Sequence, residues 1–365
     1  MSDAASLRFE FEPTANPIPA SERDPMLANP GFGRVFTDHM ALIRYSDTKG
    51  WHDAKITARG SVTVDPAAAV LHYAQEIFEG LKAYRLPDGG AQLFRAEANA
   101  RRFRHSARRL AMPELPEDLF VESARALVRA DRDWIPQGAD GALYLRPFMF
   151  ASEAFLGVKP ASEYLYMVIA SSVGAYFKGG AKPIALWATP TYSRAGPGGT
   201  GDAKCGGNYA SSLIALAEAT NEGCDQVLFL DTKERRWIEE LGGMNVFLVF
   251  DDGSLVTPPL EGTILAGITR DSLIQLARAE GRTVREEHYG IDQWEADAKS
   301  GRLREAFACG TAAVVTPIGR VKTPTADFTI GNGATGSVTE GLREALVAIQ
   351  RGTAADPHGW TEKLF

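Results

Sequence analysis

Apolar residues along this chain change period repeatedly, from the alternation of strands to the three-and-four spacing of helices. They never settle into the strand–helix–strand rhythm that a doubly wound parallel sheet demands. VFTDHMALIRYSDTKGWHDAKITAR (35–59) and SVTVDP (61–66) alternate and carry turn residues as antiparallel strands do. Helical spacing is predicted over 68–80, 95–110 and 121–135, after which ALYLRPFMFAS and ASEYLYMVIASSVGAYF return to strand character. Past the break at GAYFKGGAKP (174–183) come PIALWATPTYS, a glycine-rich loop with an apolar helix, strands at QVLFLDT and MNVFLVFDD, a helix over 271–281, and strand character at FACGTAAVVTPIG. A last helix, GLREALVAIQRG, leads into a short polar tail. The ordering predicts an α+β fold in two domains: an extended arm over 1–34, a small domain over 35–173, an interdomain loop over 174–183 and a large domain over 184–365.

Composition narrows the function. The 365 residues are 45% hydrophobic, enough for two cores, and the net charge of −7 argues against nucleic-acid or anionic-membrane partners. A small molecule is the expected partner. Three cysteines, Cys205, Cys224 and Cys309, lack metal-like spacing, so neither a disulfide framework nor a metal site is expected. The first twenty residues hold no apolar export segment and no later run spans a bilayer, which points to a cytoplasmic protein.

Chemistry concentrates around GTGDAKCGGNYASSLIALAEA, where Lys204 stands in a glycine-rich loop before an apolar helix. A lysine held inward there, partly desolvated, can attack a carbonyl, whereas a solvated loop lysine is the bland reading. Glu239 and Glu240 precede LGGMN and an apolar strand; one could face a buried cation, or both could be a solvated pair at a strand edge. In LAGITR, Gly267 leads through Ile268 to Thr269 at a predicted helix N-cap, where exposed N–H groups attract phosphate or simply cap a helix. Arginines 101, 102, 104, 108 and 109 crowd one helix, as a solvated basic face or with one turned inward as an anion clamp. Gly196 to Gly201 satisfies G-x-G-x-x-G, but it follows polar TYSRA and reaches a further GG before any helix, so it reads as a loop and not a dinucleotide turn.

Six ordered motifs, LHYAQEIFEGLKAYR (71–85), LYLRPF (143–148), KCGGNYASS (204–212), EELGGMN (239–245), LAGITR (265–270) and GTAAVV (310–315), strongly resemble those of the branched-chain amino acid aminotransferases, fold-type IV pyridoxal phosphate enzymes. The resemblance implies a small N-terminal α/β domain, a larger C-terminal domain with a β-barrel-like core, a homodimer, and reversible transamination between L-leucine, L-isoleucine or L-valine and 2-oxoglutarate. It assigns Lys204 the Schiff base with pyridoxal 5′-phosphate and the proton shuttle, Tyr209 the phenolate oxygen, Glu240 the pyridine nitrogen and Leu265 the ring face. Phosphate falls to Arg102, with Arg101 the alternative one residue away, to Gly267, Ile268 and Thr269, and to Thr311. Phe32, Tyr73, Phe78 and Tyr176 become apolar walls for a branched side chain. Arg146 and Tyr144 take the glutamate side-chain carboxylate, and Thr311 and Ala312 the α-carboxylate. Where some vertebrate relatives carry a redox C-x-x-C, this chain has Ala313 and Thr316, so no thiol switch is expected. Gly243 stands where some relatives have threonine. The competing readings are a D-amino acid transaminase or aminodeoxychorismate lyase, a nicotinamide oxidoreductase built on the Gly196 loop, and a catalytically silent binding protein.

Overall fold

A computed structural model describes residues 7–138, 140–174 and 182–365. The chain divides into two compact units: unit 1 is Met1–Tyr176, Ala203–Gly206 and Ile349–Phe365, and unit 2 is Phe177–Asp202 and Gly207–Ala348. Most of the loop predicted over 174–183 falls on residues 175–181, outside the described residues.

Unit 1 begins with β1 (Glu10–Phe11), α1 (Ala20–Ala28), β2 (Val35–Ser46), β3 (Gly50–Ala58), α2 (Ala69–Tyr73) and β4 (Glu76–Phe78). It continues with β5 (Leu81–Arg85), β6 (Ala91–Phe94), α3 (Ala96–Arg109), α4 (Glu117–Ala130), β7 (Ala142–Ala151) and β8 (Glu163–Val173). The sheet runs β1-β3-β2-β8-β7-β5-β6 and ends on the C-terminal strand Thr361–Lys363, with β4 also paired to β7. Ala96, Ala100, Phe103 and Ala107 give α3 one buried face, as the three-and-four spacing requires, and that face joins a core with Phe120, Leu143 and Tyr166.

Four expectations change here. The arm over 1–34 is not simply extended: β1 pairs in parallel with β3, and α1 follows. SVTVDP forms no strand, because its alternating residues are mostly exposed and meet no neighbouring strand. The helix predicted over 68–80 stops at Tyr73, where Ala74 turns left-handed, and Glu76–Phe78 is taken into the sheet against Phe148–Phe150. The polar tail supplies the strand Thr361–Lys363, which pairs with β6 and covers an edge that would otherwise be open.

One irregularity positions the site. β4 and β5 both pair with β7, yet the ladder is interrupted at Glu79–Gly80, opposite Pro147. Proline has no N–H to give; its carbonyl accepts the Glu79 N–H at 2.7 Å, and Gly80 O turns instead to Asn99 Nδ2 at 3.2 Å. The break leaves the Glu79 side chain pointing at α3.

Unit 2 contains β9 (Ile184–Ala188), α5 (Gly206–Ala210, whose first residue counts with unit 1), α6 (Leu213–Asn221), β10 (Gln226–Leu230), β11 (Ile238–Leu241), β12 (Asn245–Phe250) and β13 (Leu255–Thr257). Then come α7 (Ile268–Ala279), β14 (Val284–Glu286), α8 (Ile291–Ser300), β15 (Leu303–Gly310), β16 (Val314–Lys322), β17 (Asp327–Thr329) and α9 (Ser337–Gln350). The order β11-β10-β9-β16-β15-β12-β13-β14 mixes parallel and antiparallel pairs, around a core including Leu186, Val246, Leu248, Trp294 and Ala308. β12 is buried at every residue, which explains its unbroken apolar run.

Candidate active site

Lys204 belongs to unit 1 through the segment Ala203–Gly206, and its neighbours Ala203 and Cys205 are buried, which fixes the chain on both sides of it. Its N–H donates to Ser106 Oγ at 2.9 Å and its carbonyl accepts the Phe78 N–H at 2.9 Å. The half-buried side chain places Nζ 4.7 Å from the centre of the Phe78 ring. Local glycines alone would leave this lysine to wander; the two backbone bonds and the buried flanks hold it.

The same ring carries Arg146. Its Cζ lies 4.7 Å from the Phe78 centroid, Nη2 donates to Tyr144 OH at 3.0 Å, and Nε is buried without a hydrogen-bond partner. Arg146 and Tyr144 are two apart on β7 and so share a face. Tyr144 meets Phe32 edge-on at 5.2 Å, and its hydroxyl fills the space where a Cβ on residue 80 would stand, which is why residue 80 is glycine. Tyr73 stands apart from this group: it ends α2, is 40% exposed and has a ring contact with His72. Tyr176 lies outside the described residues.

The arginine-rich helix resolves into two kinds of residue. Arg101 is exposed and reaches Glu97, while Arg104 and Arg108 pair with Glu114. Arg102 alone among these turns inward, donating Nε to Glu79 Oε1 at 2.7 Å and Nη2 to Oε2 at 2.8 Å; Asn99 Nδ2 adds 2.7 Å to Oε2. Burial by itself raises the Glu79 carboxyl, but the charges of Arg102 and Lys204 and the bond from Asn99 bring it below its ordinary value, so it is ionised. Glu76 accepts the Gly206 N–H on Oε1; burial pushes its carboxyl up, against the pull of that N–H and of Arg146.

In unit 2, strand alternation separates Glu239 from Glu240, and β11 buries both, so neither is a solvated edge acid. Glu240 Oε1 accepts Arg194 Nη1 at 2.7 Å and the Leu265 N–H at 2.9 Å. Leu265 is buried and its carbonyl accepts Asn245 Nδ2 at 3.0 Å, so both backbone polar groups of this residue are fixed by side chains. Two residues on, Gly267 and not Thr269 is the N-cap of α7, with no side-chain cap, and Ile268 and Thr269 form the first turn. A Cβ at Gly267 would collide with Asn245 Oδ1. Tyr209 lies half-buried on α5 with its ring 3.5 Å from the Cβ position of Gly243. Thr311 and Ala312 form the half-buried turn between β15 and β16.

Sequence reasoning missed Glu79, Arg194, Asn99 and Asn245. For Glu79 the available signal was a charge set within FEG, a segment too poor in other polar groups to leave it unpaired; polar TYSRA gave no such signal for Arg194.

The amino-transferase class IV family model matches residues 76–321. A branched-chain-amino-acid aminotransferase of Mycobacterium tuberculosis is 54% identical over 365 residues, 99% of each chain. Among solved structures, the branched-chain amino acid aminotransferase of Escherichia coli gives a TM-score of 0.75 at 29% identity, over 90% of this chain and 99% of that one. The enzyme of the same name from Thermobaculum terrenum, solved in its PLP-form, gives 0.71 at 25% identity, over 90% and 98%. The chain is a class IV aminotransferase with the fold-type IV architecture, and within that class it belongs to the branched-chain-amino-acid aminotransferases.

Proposed function

We propose that this enzyme uses pyridoxal 5′-phosphate to exchange the amino group between L-leucine, L-isoleucine or L-valine and 2-oxoglutarate. The observation that carries the reading is the Phe78 ring, which holds the Lys204 amine and the Arg146 guanidinium each 4.7 Å from its centre. One aromatic face thus supports a nucleophilic amine and a cation whose Nε has no partner, suited to a substrate that brings a carbonyl and a carboxylate.

The donor set suits the cofactor: a buried carboxylate for a protonated pyridine nitrogen, a helix N-terminus with glycine at its N-cap for phosphate, and an amine for the aldehyde. When bound, pyridoxal phosphate supplies an electron-withdrawing ring that acidifies the substrate Cα–H. Lys204 would supply the amine that holds the cofactor's aldehyde and the base that moves the substrate Cα proton. Glu240 would hold the proton on the pyridine nitrogen, Tyr209 would donate to the phenolate oxygen and Leu265 would cover the ring. Arg102, Gly267, Ile268, Thr269 and Thr311 would hold phosphate. Phe32, Tyr73, Phe78 and Tyr176 enclose the branched side chain; Tyr144 and Arg146 take the glutamate side-chain carboxylate, and Thr311 and Ala312 the α-carboxylate.

The protein acts as a cytoplasmic homodimer in this reading. Among the described residues no helix is long and apolar enough to cross a membrane. The exposure of Leu71 (61%), Leu156 (72%) and Val158 (89%), on α2 and on the segment hydrogen-bonded to it through Ala69 N–H and Glu153 O, supports cover by a second copy.

The test is the visible spectrum of the purified protein before and after L-leucine and, separately, D-alanine. A yellow band bleached by L-leucine alone is expected; bleaching by D-alanine alone, or no band after pyridoxal phosphate is supplied, overturns the reading. Arg146→Ala should then slow the glutamate half-reaction more than the leucine one, in single-turnover absorbance traces, and equal losses would remove Arg146 from the carboxylate site.

A further inference from the structure

Arg194 sits in the loop between β9 and α5, with its side chain 1% exposed. A buried guanidinium is costly to hold and must be compensated where it lies. Nη1 meets Glu240 Oε1 at 2.7 Å, Thr263 O at 3.1 Å and Gly201 O at 3.2 Å, and the Arg194 carbonyl accepts Ser211 Oγ at 3.3 Å. These four partners lie on four separate stretches of unit 2. Glu240 is on β11, Thr263 is two residues before Leu265, Ser211 is two after Tyr209, and Gly201 is on the loop that leads to Lys204. The Leu265 N–H closes the group on the same Glu240 oxygen at 2.9 Å.

We infer that Arg194 is the positioning residue for Glu240: it keeps the buried carboxylate ionised before any cofactor arrives and fixes its rotamer against the Leu265 backbone. This rests on the pyridoxal phosphate reading above. The Glu240 side chain is 3% exposed, so with the Arg194 cation removed burial would favour its protonated form. A protonated carboxylic acid donates a hydrogen bond where a carboxylate accepts one. Facing a pyridine nitrogen, it would leave that nitrogen unprotonated. Arg194 thereby acts on the electronic state of the bound ring without touching it, and the carbonyls of Gly201 and Thr263 hold the guanidinium in place while it does so.

The test compares wild type, Arg194→Lys, Arg194→Met, Glu240→Gln and the double variant Arg194→Met/Glu240→Gln, each reconstituted with pyridoxal 5′-phosphate. The visible absorption of the bound cofactor is followed from pH 5 to pH 9. Loss of the ring-nitrogen proton removes a positive charge from beside the chromophore, so the chromophore's own proton is retained to higher pH. The midpoint of Arg194→Met should rise by about one pH unit, with Arg194→Lys in between. Glu240→Gln should match Arg194→Met, and the double variant should shift no further than either, as expected for two residues acting through one atom. If Arg194→Met does not fold, recovery of folded protein in the double variant supports the inference, because the unpaired carboxylate was then the fault. Wild-type midpoints in Arg194→Lys and Arg194→Met beside a shifted Glu240→Gln overturn it, as does failure of both Met variants to fold while Arg194→Lys titrates like wild type. A wild-type protein with no band overturns the cofactor reading itself.

Discussion

Among the described residues, each unit holds a buried glutamate against a buried or nearly buried arginine, and the two pairs differ in geometry. In unit 1, Glu79 is wholly buried and receives Arg102 through Nε and Nη2, a planar fork on a planar carboxylate, together with Asn99 and the Gly80 N–H at 3.1 Å. In unit 2, Arg194 divides a single nitrogen among Glu240 and two backbone carbonyls. The first geometry aims an arginine: Glu79 is the anchor and Arg102 the group presented. The second aims a carboxylate: Arg194 is the anchor and Glu240 the group presented. The same ion chemistry thus takes two geometries, with two guanidinium nitrogens on the carboxylate in unit 1 and one in unit 2, and under the proposed function the first presents Arg102 to phosphate and the second presents Glu240 to the pyridine nitrogen.

Neutralising each acid should break the comparison most sharply. Glu240→Gln removes the charge that the proposed pyridine contact uses and should lower kcat by about 10²–10³-fold, a loss typical of one preorganised electrostatic partner. Glu79→Gln should act first on affinity for the cofactor, through a less firmly held Arg102. Steady-state kinetics and cofactor titration on both variants check this, and a larger kcat loss in Glu79→Gln would reverse the assignment. Stability should rank the other way. Glu79→Ala removes the carboxylate that pairs with Arg102, whose side chain is 10% exposed, and should cost about 3–5 kcal/mol in urea unfolding, as breaking a buried pair does. Arg102→Ala should weaken pyridoxal phosphate binding by about tenfold to a hundredfold, the worth of one charged hydrogen-bond partner, while Arg101→Ala, on an exposed side chain, should leave it unchanged. Equal effects of the two would mean that Arg102 does no more than pair with Glu79.

The sequence reading names one member of each pair, Arg102 and Glu240, through motifs whose residue types fit a charged cofactor, and neither of their partners, Glu79 and Arg194. Glu79 owes its orientation to a break in β4–β5 pairing opposite Pro147, and Arg194 owes its burial to the convergence of β11 with three loops; both are facts of long-range closure. The secondary-structure differences have the same origin. Residues 68–80 have helical spacing, but pairing of Glu76–Phe78 with β7 outweighs it, and Thr361–Lys363 reads as a polar tail until β6 offers it an edge.

Glu239 sharpens the contrast between buried acids, with the smallest effect and the clearest sign. Burial pushes its carboxyl above the ordinary 4.5, against a hydrogen bond from Thr263 and the charge of Arg194, whereas Glu79, under stronger burial, ends below 4.5 because Arg102 and Lys204 oppose it. The folded state therefore holds the Glu239 proton more tightly than the unfolded chain does, and stability falls as pH rises from the unfolded pKa through the folded one. Glu79 does the reverse: its contribution is complete above the unfolded pKa and is lost as pH falls through the lower folded value. Glu239→Gln should thus gain melting temperature relative to wild type on going from pH 4 to pH 8, by a small margin, while Glu79→Gln should be most destabilised at pH 8 and approach wild type toward pH 3. Melting curves of both variants at these pH values decide it. A Glu239→Gln difference that does not change with pH would mean that Glu239 titrates alike in the folded and unfolded chain, and burial would then not govern that side of β11.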